Sequence, residues 1–146
     1  MNGMLNARID ISRDLEGEPV VLACFDLGGE EIAAASHAVA AMAAERFRLA
    51  DMSVDDVLEL RELTALADEL ADPSAPPGAR TLVLRPARLT ALRDSVARFV
   101  ETRDEAEWTR EDDRAALARV RGLVMPLEDL CADALRAALS PTQRPV

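Results

Sequence analysis

One stretch limits the architectures open to this chain more than any other: Arg80 to Arg103, RTLVLRPARLTALRDSVARFVETR. Leu82 and Leu84 alternate with Thr81, Val83 and Arg85, the period of two that marks a strand with one better-buried face. Pro86 then suits the first turn of a helix, where its missing N–H has no intrahelical partner to lose. Leu89, Leu92, Val96, Phe99 and Val100 follow at three- and four-residue spacing, so one stripe of that helix faces a core. A strand over 81–85 running into a helix over 87–102 requires a fold that mixes sheet and helix.

The N-terminal part supplies the rest of the sheet. Leu5, Ala7, Ile9 and Ile11 alternate with Asn6, Arg8, Asp10 and Ser12, which predicts a half-buried strand over 5–12. The turn DLEGEP follows, with Gly17 free to take positive φ and Pro19 barred from mid-sheet positions. Residues 20–27, VVLACFDL, are apolar on both faces and predict a better-covered strand that pairs antiparallel with the first.

Gly28 and Gly29 turn the chain into a helix over 30–50. A helix N-terminus attracts anions, but Glu30 and Glu31 already complement the dipole there and would repel a phosphate. Ile32, Val39, Ala43 and Phe47 mark the expected apolar stripe. The lone histidine, His37, falls on another side with Ala33, Ala41, Ala44 and Arg48, and reads as a helix residue with no special task. Ser53 with Asp56 resembles a capping box for a second helix reaching Ala71, with Val57, Leu60, Leu63, Leu66, Ala67 and Leu70 inward. That helix ends in Asp68, Glu69 and Asp72, the wrong sign for a C-terminus, so it calls for cations such as Arg80, Arg85 and Arg88. A last helix is expected over 110–139, with a kink or short break where Pro126 presses on the carbonyl of Gly122.

Composition narrows the function classes. The net charge is −10, which argues against nucleic acid and against anionic membrane surfaces, because phosphate neutralisation by cations supplies most of that affinity. All 17 basic residues are arginine, and with the abundance of alanine this looks like coding bias rather than chemistry chosen site by site. No apolar run approaches a membrane span and no secretory leader is visible. Cys24 and Cys131 make neither a disulfide framework nor a zinc site, so buried reduced thiols in a cytoplasmic protein are expected.

No nucleophile elbow, paired CxxC, HExxH or dinucleotide fingerprint is present, so no catalytic residue and no cofactor is assigned. The one pattern with chemical content is acidic. Glu59 and Glu62 form an ExxE pair one turn after Asp56, and Glu101 and Asp104 form an ExxD pair. Carboxylates on two helices suit Mg²⁺, which prefers oxygen ligands. In those five residues the pattern resembles the metal site of the all-helical nucleoside-triphosphate pyrophosphohydrolases, and the resemblance implies Mg²⁺-dependent hydrolysis. The loop and strand expected between Glu62 and Glu101 depart from that family's compact helical pair.

The fold class read from the chain is α+β: a small sheet of the N-terminal hairpin plus one further strand, packed on about four helices in the order ββααβαα. Residues 1–146 are expected to form a single domain with a frayed tail at 141–146. The function expected is a non-enzymatic self-associating or regulatory interaction module in the cytoplasm. The alternative is a small-molecule-binding protein or Mg²⁺-dependent hydrolase. The alanine face of the first helix and the arginines of 80–103 point to a homodimer held by apolar burial, with charge setting its register. A basic protein is the other partner that an acidic chain suits.

Overall fold

The turn at Asp14–Glu18 starts the sheet. Gly17 takes a left-handed φ of 83°, and the Asp14 carboxylate accepts the N–H groups of Glu16 and Glu18, each at 2.9 Å. In the computed structural model, which describes residues 6–49, 51, 53–72, 78, 80–106 and 109–139, this turn folds β1 (Ala7–Arg13) back onto β2 (Pro19–Leu27). The pairing is antiparallel, from Arg13 opposite Pro19 to Ala7 opposite Phe25. β3 (Arg80–Leu84) adds antiparallel to the other side of β2, giving the order β1-β2-β3.

The central position of β2 explains its two apolar faces. Ala23, Phe25 and Leu27 are buried on the helix side with Leu82 and Leu84, while Cys24 is buried on the reverse side between Arg8 and Val83. Five helical segments follow: α1 (Gly29–Leu49), α2 (Val54–Leu70), α3 (Pro86–Asp104), α4 (Glu111–Val120) and α5 (Val124–Leu139); α3 and α5 lie against the sheet, and α1, α2 and α4 pack chiefly on the other helices. The helix expected over 110–139 is divided by one turn of 3₁₀ helix at Arg121–Leu123. Pro126 cannot donate to the Gly122 carbonyl, so the ladder breaks at that place. The architecture is therefore the expected α+β order with its last helix in two pieces, and the described elements share one hydrophobic core.

Local chemistry sets the helix starts. Ser53 Oγ accepts the Asp56 N–H at 3.1 Å, and Pro86 occupies the first turn of α3. Gly28 donates its N–H to Glu31 Oε1 at 2.8 Å, so an acidic side chain of α1 itself occupies the donor an anion would seek. Gly29 is required by close approach: a Cβ there would stand 3.0 Å from Gly78 Cα.

The inward stripe of α1 differs from expectation. Ile32, Ala35, Val39 and Met42 are buried with Ala34 and Ala38, a line that continues to Arg46 rather than to Phe47. Phe47 is 65% exposed, and Val57 of α2, also expected inward, is 39% exposed. The alanines let α1 sit close to its neighbours, and its rotation follows the bulkier Ile32, Val39 and Met42 into the core. No helix among the described residues is long and apolar enough to cross a membrane. The tail at 141–146 lies outside the described residues.

Candidate functional site

α1, α2 and α3 leave between them a groove of about 730 Å³. It exists because α3 turns Ala87, Ala91 and Ser95 toward it at four-residue intervals, side chains too short to fill the space. Met42 and Leu63 supply apolar walls. Glu59, Glu62 and Glu101, three of the five acids picked out by spacing, line it with Glu45 and Asp94.

The other two acids lie elsewhere. Asp56 is turned to Arg46 at 2.8 Å, and Asp104 pairs with Arg121. Hydrogen bonding to Asp51 first, then the Arg46 charge, holds the Asp56 carboxyl below the usual carboxylate range. Glu59 is engaged by Arg46, and Glu62 by Arg88 at 3.2 Å. Among the described residues no three His, Cys, Asp or Glu side chains converge closely enough to hold a metal ion. β3 intervenes between α2 and α3 in the chain, but the two helices pack side by side and bring Glu59, Glu62 and Glu101 to one groove.

The acidic end of α2 finds its cations inside the chain. Arg80 donates to the Glu69 carbonyl, and Arg88 lies 3.4 Å from the Glu69 carboxylate. Arg80 and Arg88, two of the arginines expected to set a dimer register, are thus engaged with α2 within one molecule, where α3 packs beside it.

His37 has a defined place as well. Its Nε2 is 2.6 Å from Asp113 Oδ1, while Arg103 Nε reaches Asp113 Oδ2 at 3.1 Å. His37 packs edge-on to Phe99, with ring centroids 5.8 Å apart, and the Arg103 guanidinium sits 4.8 Å from the centre of the same ring. Burial works against the Asp113 charge and is the largest single influence on it. The His37 hydrogen bond and the Arg103 charge together outweigh it and hold the carboxyl below its ordinary range. His37 is thus a packing residue that joins α1 to α3 and α4. Asp113 and Arg103 carried no local signal of this, because His37 and Asp113 are 76 residues apart in sequence.

On the opposite side of the α1–α2 hairpin a second cleft, of about 740 Å³, is lined by Ala43, Ala44 and Phe47 from α1 and by Val57, Arg61 and Asp68 from α2. Val54 and Leu58, nearby on α2, are also more than half exposed. Arg61 and Asp68 make no ion pair among the described residues.

The two cysteines are free and buried. Burial pushes both thiols up, so neither is disposed to act as a nucleophile near neutral pH. Comparison of the chain with protein-family models, with curated proteins and with solved structures gave no match.

Proposed function

We propose that this chain is a non-enzymatic self-associating module that works as a homodimer, using the outer face of the α1–α2 hairpin. The observation that carries the reading is the cleft at Phe47 and Val57, whose exposed apolar side chains adjoin two opposite charges on one helix face that have no ion pair among the described residues. Arg61 and Asp68 stand seven residues apart with Thr64 and Ala65 between them, all lining the same cleft. A two-fold axis passing between Thr64 and Ala65 sets α2 antiparallel to its copy and each Arg61 opposite the partner's Asp68. The pairing then occurs twice, as a self-complementary interface requires. The small residues at the axis allow close approach of the two helices. Apolar burial supplies the affinity, because exposed ion pairs contribute at most about 1 kcal/mol each.

A cytoplasmic location suits two buried, reduced thiols, and the charge of −10 suits neither nucleic acid nor anionic lipid as partner. The hydrolase alternative has less in its favour, since arginines engage Glu59 and Glu62 and Asp104 is turned to Arg121.

Light scattering after size exclusion tests the proposal at tens of micromolar protein. The expected result is twice 15.8 kDa for the wild-type chain and a monomer for Phe47→Glu. Arg61→Asp should weaken the dimer, and Arg61→Asp with Asp68→Arg should restore it. A wild-type monomer sinks the reading; a dimer untouched by Phe47→Glu moves the interface elsewhere.

A further inference from the structure

The groove between α1, α2 and α3 has no part in the dimer proposed above, and its chemistry points to a ligand of its own. We propose that it binds a small aliphatic cation: an ammonium or guanidinium group carried on a short alkyl chain.

The charge argument rests on how the arginines are shared. Arg46 serves both Asp56 and Glu59, Arg88 serves Glu62 and Glu69, and Arg103 serves Glu45 and Asp113. Each guanidinium is divided between two carboxylates, so negative charge is left over at every pair. The groove itself is lined by five carboxylates against Arg46 and Arg98; Asp94 is met by Arg93, and neither Glu101 nor Arg98 has an ion-pair partner among the described residues, so the lining stays net acidic. A cation gains here what an anion would lose.

A second, independent feature also asks for a ligand. Ser95 is 4% exposed, lines the groove and makes no hydrogen bond among the described residues. Its Oγ is reached only from the groove, so whatever occupies the groove, water or a ligand, is its partner. An N–H donor seated in the groove satisfies Ser95 Oγ from the open side. The alkyl part has Met42, Leu63 and Ala91 to cover, so the site combines an apolar wall with a few polar groups. The volume of about 730 Å³ admits such a molecule.

The test is a titration of the ¹⁵N-labelled full chain with hexylammonium chloride, followed by amide chemical shifts, with hexanoate as the matched anion. Saturable shifts centred on Ala91, Ser95 and Glu101, absent with hexanoate, are expected. Ser95→Ala and Glu101→Gln should each weaken binding by about tenfold or less, the scale of one hydrogen bond, with unchanged melting temperature. Linear, unsaturated shifts overturn the proposal, as does hexanoate binding as tightly as hexylammonium. Displacement of hexylammonium by stoichiometric MgCl₂ also overturns it, in favour of a metal site.

Discussion

His37 Nε2 stands 2.6 Å from Asp113 Oδ1, which ties the middle of α1 to the start of α4 through a carboxylate only 16% exposed. Because the Asp113 carboxyl is held below its ordinary value, its contribution to stability is fully present above that value, 3.8, and is lost as pH falls through the lower, folded-state value. Asp113→Asn keeps the shape and removes the charge. It should cost about 1–3 kcal/mol at neutral pH. Thermal melts of both proteins against pH check this: the gap should be constant above 3.8 and narrow below it. A gap that persists unchanged in acid would show that the charge is not its source.

Val96 is fully buried in the core stripe of α3. Val96→Asp places an unpaired carboxylate there and should destabilise the fold by about 4 kcal/mol or more. Urea unfolding followed by circular dichroism measures it, and a wild-type midpoint would mean that the stripe faces solvent.

Gly29 faces the Gly78 backbone so closely that Gly29→Ala must displace one segment or the other. The expected cost is about 1–3 kcal/mol. The same substitution at Gly122, where an added Cβ meets nothing within 4 Å, is the control and should be tolerated. Equal effects at both sites would contradict the contact.

Ser53→Ala removes the acceptor for the Asp56 N–H and should lower stability by about 1 kcal/mol, whereas Ser53→Asp should retain most of it. Chemical denaturation distinguishes the two, and identical midpoints for Ala and Asp would remove the cap from the account.

Duplex DNA should show no saturable binding at physiological salt, given a net charge of −10. Fluorescence anisotropy with a labelled duplex checks this, and micromolar affinity would overturn the reading of the charge.

Much that is governed by neighbours a few residues apart could be read from the sequence. Gly17 takes positive φ, Ser53 caps α2, Pro86 opens α3, and the chain breaks at Arg121–Leu123 ahead of Pro126. Leu82 and Leu84 fixed the buried face of β3, since side-chain direction alternates along a strand whatever lies opposite. The cations wanted by the end of α2 were also legible, because β3 and α3 follow it after a short loop. What the local pattern left open was orientation. The alanine-rich α1 can turn several faces inward at similar cost, and only packing against α2, α3 and α4 selects Met42 over Phe47. The same packing carries Asp113 to His37 across 76 residues and gathers Glu59, Glu62 and Glu101 around one groove while sending Asp56 and Asp104 to separate arginines. Ion pairs are short-ranged, so their partners are settled only when the helices have docked.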